Sequence, residues 1–130
     1  LFFVRHLPPS EHPAFYSASR LTLNVTRRVM ADMGWCPSGR LFEAAACGVS
    51  VISDWWEGLD TFFEPGREIL VASKSQDVIA ALDMDQSELQ RIAKAARERV
   101  LGEHTSDHRA EAFEALINEM APAATAALRA

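Results

Sequence analysis

The sequence predicts an α/β domain, a parallel sheet of about four short strands flanked by helices and followed by a two-helix C-terminal tail. Three observations carry that expectation. Short apolar runs rich in branched residues, such as Val49 to Ser53, alternate with segments of helical period. Clusters of Gly, Pro and Ser separate the two kinds of segment. Beyond Asp85 only helical patterning remains.

Taken in order, Leu1 to Val4 reads as a short buried strand ended by Pro8-Pro9-Ser10, and Ser10 can cap a helix through Ser19. Leu21 to Val25 alternates apolar residues with Thr22 and Asn24 and reads as a second strand. Thr26 to Met33 is a short helix or an ordered loop, closed by Gly34. Ser38 is placed to N-cap a helix from Gly39 to Cys47, and the small or apolar Leu41, Ala44 and Ala45 let that helix lie close to a sheet. Gly48 stops it, and Val49 to Ser53 forms the third strand. Leu59 to Phe63 is one helical turn, Pro65-Gly66 a turn, and Ile69 to Val71 the fourth strand. Ser75 caps a helix to Leu82. Asp85 and Glu88 form a capping-box-like start for a helix to Leu101, with Leu89, Ile92, Ala96 and Val100 on one face and Gly102 at its end. A last helix, Ser106 to Met120, is expected to bury Phe113, Leu116, Ile117 and Met120, and the Ala-rich tail, 121–130, to fray.

Composition narrows the class. A chain of 130 residues that is 48% hydrophobic and 24% charged is one globular domain rather than a disordered segment. A net charge of −5 argues against a surface that neutralises nucleic-acid phosphates or an anionic membrane. No apolar run approaches the roughly 20 residues that span a bilayer. Cys36 and Cys47 make no disulfide framework; reduced, buried thiols of a cytoplasmic protein are the ordinary reading, with a redox or nucleophilic role as the alternative. The chain opens at Leu1 inside an apolar run, without an initiator Met or a charged leader, which suggests a fragment of a longer protein.

Open parallel sheets bind ligands outside the carboxyl ends of their strands. Three such places are chemically rich here: Asn24 to Arg28, Pro37 to Arg40, and Ser53 to Glu57. Ser38-Gly39-Arg40-Leu41-Phe42-Glu43 is the most informative. A Gly beside the cap lets a ligand approach the backbone, free N–H groups and the helix dipole favour an anion, and Arg40 adds a bidentate phosphate contact. Glu43, about one turn further in, can reach a ribose diol. The same residues are also ordinary capping chemistry, and both readings stand on the pattern alone.

Residues 37–54, PSGRLFEAAACGVSVISD, resemble the helix–strand signature of GT-B glycosyltransferases, an EA-small-A-x-G run leading into a PVI-type strand. The wider chain, with HLPPSEHPAFYSASRLTLNVTR, SDWWEGLDTFFEPGREILVA and a late HTSDHR, is similar to the spore-maturation (CgeB-type) glycosyltransferase-like branch up to about Met120. The resemblance implies a partial Rossmann-like sheet, with residues 1–120 as a truncated C-terminal nucleotide-sugar-binding domain. It implies a nucleotide-diphosphate sugar donor, no metal or other cofactor, and a missing N-terminal domain that supplies the acceptor site and any general base. By position, Glu43 matches the glutamate that holds the donor ribose, and Ser38, Gly39 and Arg40 match the helix start facing the diphosphate. Asn24, Arg27, Ser53 and Asp54 border the same cleft, Arg27 as a further neutraliser of the leaving phosphates. Many retaining members carry a second glutamate eight residues before the ribose glutamate; here that place is Trp35.

That departure keeps two other readings open. One is a non-catalytic binding or assembly module, dimerising through the sheet edge or the tryptophan loop; the other is a nucleotide-sugar epimerase, which shares the two-domain architecture. His104 and His108 stand four apart, as a zinc pair does, but without a third ligand. His6 and His12 lie near the first strand end, where His12 could approach the cleft but a surface-loop role is the ordinary expectation. Of the adjacent Trp55 and Trp56, one is expected to pack inward and one to face the cleft or a partner.

Overall fold

The computed structural model describes residues 7–127, with side chains as far as Met120. Three parallel strands, β1 (Leu21–Asn24), β2 (Ser50–Ser53) and β3 (Leu70–Val71), lie in the order β1-β2-β3. They coincide with three of the expected strands; the strand expected over Leu1 to Val4, like His6, lies outside the described residues. Helices α1 (His12–Ser17), α2 (Arg28–Met33), α3 (Gly39–Ala46), α4 (Leu59–Phe62), α5 (Ser75–Leu82), α6 (Gln86–Glu103) and α7 (Ser106–Ala127) complete the α/β domain, the last two forming the C-terminal helix pair.

Helix α3 centres the core. Its Leu41, Ala44 and Ala45 are fully buried, and the two alanines let the helix axis approach β1 and β2 closely. Ser38 caps it as expected, its Oγ accepting from the Arg40 amide at 3.3 Å, and Gly48 turns the chain at φ 74°. Helix α6 packs against both α3 and β2 and adds Ala96 and Val100 to the same cluster, beside Val49, Val51, Trp56, Leu59, Phe63 and Ile69. Leu89, Ile92, Ala96 and Val100 are all buried, so the expected face of α6 is the packed one.

Several local expectations give way. Ser10 does not cap α1; it lies within a short 3₁₀ turn, Pro9–Glu11, whose opening proline has no amide donor to satisfy. Ser75 is the first helical residue of α5, and capping falls to Asp77, whose carboxylate accepts from the Ser73 and Lys74 amides at 2.8 and 3.1 Å. At the start of α6 Asp85 makes no side-chain cap, and Glu88 instead pairs with Arg91 at 2.7 Å. Gly102 does not end α6, which continues to Glu103 because His104 provides the closing contacts.

The largest departure is α7. Phe113, Leu116, Ile117 and Met120 share the expected stripe but are 66, 56, 50 and 71% exposed. Amphipathic spacing sets which residues share a face, whereas burial needs a neighbour, and among the described residues nothing covers this one. The helix also runs past Pro122 to Ala127.

Candidate functional site

The strand register builds the site. Asn24 pairs with Ser53 across β1 and β2, so both side chains stand together at the carboxyl ends on the same face. Asn24 Nδ2 donates to Ser53 Oγ at 3.1 Å, and both residues are essentially without solvent contact. The other side of the amide faces α3: Asn24 Oδ1 accepts from the Arg40 guanidinium at 3.0 Å. A buried amide thereby fixes an otherwise exposed arginine beside the α3 N-terminus.

Asp54, the next residue, accepts from the Thr26 amide at 2.8 Å and ties the ends of β1 and β2 together. That bond shapes the turn into α2, where Arg27 is the exposed N-cap. Arg27 therefore borders the site, but no hydrogen bond or ion pair joins it to Arg40 or Glu43 among the described residues. Gly39 opens α3, and a Cβ there would lie 3.8 Å from Glu43 Oε1, so the Glu43 carboxylate is turned back toward the helix start. The structure thus gathers Asn24, Ser38, Gly39, Arg40, Glu43, Ser53 and Asp54 around one helix terminus, with Arg27 at the margin.

Two contributors escape the strand-end logic because they come from α1. His12 is half-buried at the start of that helix, not in a surface loop, and its Nδ1 lies 3.2 Å from Glu43 Oε2. Tyr16, one turn on, is buried against α3; burial first, and the Glu43 carboxylate second, push its hydroxyl above its ordinary pKa. Together with Pro9, Pro13, Ala46 and Cys47 these residues line a shallow apolar depression of about 320 Å³ beside Glu43. The place of His12 near a strand end already let it approach the cleft; for Tyr16, its helical spacing from His12 was the signal in the sequence.

The tryptophan loops flank the strand ends. Trp56 packs inward against Phe62, its indole N–H without a partner among the described residues, while Trp55 is 51% exposed. Trp35 has φ 51°, a conformation that bulky residues rarely adopt. Two contacts hold it: its amide donates to the Glu57 carbonyl at 2.7 Å, and its indole lies where a Cβ on Gly58 would stand. Only glycine at 58 admits the ring.

His104 and His108 do not converge. His104 Nε2 donates to the Phe62 carbonyl at 3.1 Å and its Nδ1 accepts from Arg109 at 2.6 Å, among the rings of Phe42, Phe62 and Phe63. Burial holds its pKa below the ordinary value. His108 Nδ1 lies 2.7 Å from Thr105 Oγ1 at the start of α7. The described residues bring together no group of three His, Cys, Asp or Glu able to hold a metal. The chain does carry an Asp-x-Asp triplet, Asp83-Met84-Asp85, but it sits between α5 and α6, where Arg20 from the start of β1 bonds the Met84 carbonyl. It belongs to the opposite end of the sheet from Asn24 and Ser53.

Residues 2–115 match the protein family described as glycosyl transferase-like. The chain belongs to that family. Among solved structures, this glycosyl transferase-like chain is similar to sucrose-phosphate synthase from Thermosynechococcus elongatus, with a TM-score of 0.67 and 21% identity. The match covers 84% of this chain and 27% of the synthase, so the chain spans about a quarter of that protein. At this identity the likeness shows a shared fold. A comparison with curated proteins gives no match. No helix among the described residues is long and apolar enough to cross a membrane.

Proposed function

We propose that this glycosyl transferase-like chain is the nucleotide-sugar-binding domain of a GT-B glycosyltransferase of the CgeB-type branch, acting in the cytoplasm on a nucleotide-diphosphate sugar. The observation that carries the reading is the Ser38–Glu43 helix start. It presents a glycine backbone at the first turn, an arginine anchored on buried Asn24, and a carboxylate turned toward Gly39, all at the carboxyl ends of parallel strands. In this reading the positive end of the α3 dipole and Arg40 hold the diphosphate and stabilise it as it departs, with Arg27 adding charge. Glu43 accepts the ribose hydroxyls, and Ser53 and Asp54 border the donor sugar. The acceptor site and any general base belong to a preceding N-terminal domain, whose closure over the donor completes the site.

Titration of the chain with uridine, guanosine and thymidine diphosphates, followed by protein-observed NMR beside a Glu43→Ala variant, tests this. Weak binding is expected, with shifts clustered at Arg27, Ser38 to Glu43 and Ser53 to Trp56, and weaker binding by the variant. Shifts elsewhere, or an unchanged affinity in the variant, would remove the assignment.

Trp35 favours a second reading. It occupies the place of the second glutamate of many retaining members and is locked onto Gly58. A module that kept its fold without catalysis, paired through the β1 edge with its exposed Leu23 and Val25, would bind no nucleotide in the same titration.

A further inference from the structure

Glu43 is a half-exposed glutamate on a helix surface, and such a side chain samples several rotamers unless something fixes it. His12 is placed to do so. Its Nδ1 meets Glu43 Oε2 at 3.2 Å, its Nε2 meets the Leu7 carbonyl at 3.3 Å, and the Tyr16 ring stands edge-on at 6.0 Å between centroids. With Nδ1 protonated the imidazole donates to Glu43 on α3, while the Tyr16 ring of its own helix and the chain ahead of α1 flank it. Pairing Oε2 with the ring leaves Oε1 turned toward Gly39, the side on which the helix amides and Arg40 stand.

Resting on the reading of Glu43 as the ribose-binding carboxylate, we propose that His12 is a positioning residue for donor recognition. It takes one lone pair of Oε2 and so presents Oε1 and the remaining lone pair of Oε2 to the two vicinal hydroxyls of a ribose. Discrimination between ribose and 2′-deoxyribose therefore depends on a residue that touches neither. An unheld carboxylate still carries its charge and still accepts one hydroxyl, but it must be ordered when the nucleotide arrives, and that ordering cost falls on the two-hydroxyl contact.

The experiment measures affinity of the 130-residue chain for uridine and guanosine diphosphates and for their 2′-deoxy forms. The variants are His12→Phe, which keeps a ring without nitrogens, His12→Asn, whose amide N–H can stand where Nδ1–H does, and Glu43→Ala. The side-chain nitrogen shifts of His12 are recorded without nucleotide. The wild-type chain is expected to prefer the ribose forms by roughly tenfold, the scale of one hydrogen bond to a charged group. His12→Phe should lose most of that preference while binding the deoxy forms as before, and His12→Asn should recover much of it. The His12 nitrogen shifts should move in Glu43→Ala. A folded His12→Phe that keeps the full preference overturns the proposal, as do His12 shifts indifferent to Glu43. A Glu43→Ala variant with wild-type preference, or no binding of either nucleotide by the wild-type chain, overturns the underlying reading of Glu43 and the proposal with it.

Discussion

At the amino ends of β1 and β2, polar side chains are spent on backbone carbonyls. Arg20 reaches across to Leu82 and Met84 and to the Gln86 side chain, and Ser50 donates to the Leu89 carbonyl. These bonds close the sheet against the α5–α6 connection. At the carboxyl ends of the same two strands, polar side chains bond one another and one backbone amide. Asn24 holds Ser53 and Arg40, Asp54 holds Thr26, and the helix start of α3 remains open beside them. Strands four residues long thus carry a sealed end and an end with donor capacity to spare. The difference lies in the partner: a carbonyl that needed a donor in one case, and a side chain with further valences in the other.

Asn24→Leu should break the comparison most severely. It removes the buried bridge between Ser53 and Arg40 and leaves buried polar groups unmet, a loss of about 1–3 kcal/mol in thermal or denaturant unfolding. Nucleotide binding, if the proposed function holds, should fall with it, because Arg40 loses its anchor. Arg20→Ala acts on the sealed end. About 1 kcal/mol of stability should go, in unfolding measurements, while nucleotide affinity stays as it was.

A smaller effect sharpens the contrast through pH. His104 closes α6 in the neutral form, donating at Nε2 and accepting at Nδ1, and burial lowers its pKa from the ordinary 6.5. The folded chain then binds this proton less readily than the unfolded chain. Stability is complete above the ordinary value and declines as pH falls below about 6.5. Melting curves at about pH 7.5 and 5.5 should show a smaller drop for His104→Gln than for the wild-type chain. The least effect is expected on α7: Leu116→Ser should change unfolding stability by less than about 0.5 kcal/mol, since that side chain is 56% exposed. A larger loss would mean that the α7 stripe is covered in solution.

Strand β1 shows why a periodic pattern can identify an element and still misplace its faces. Leu21 to Val25 alternates, so it reads as a strand, and it is one as far as Asn24. Yet the polar members are the buried ones: Thr22 and Asn24 are 9 and 1% exposed, while Leu23 and Val25 are 48 and 69% exposed. Period two says that neighbours point apart, not which side holds the core. Here the inner side is the one on which Asn24 meets Ser53 and Arg40.

Local chemistry in the sequence determined the strands from Leu21 onward, the capped α3 with its close-packing alanines, and the candidate cluster from Ser38 to Glu43. Each of these depends on neighbours within a few residues: a hydroxyl two positions from an amide, or small side chains one turn apart. Tertiary structure alone decided that Arg40 rests on Asn24, that His12 and Tyr16 from α1 face Glu43, and that the apolar stripe of α7 lies bare. Those contacts join residues far apart in the chain, or need a covering surface, and no local pattern records where a helix will be laid down relative to its sheet.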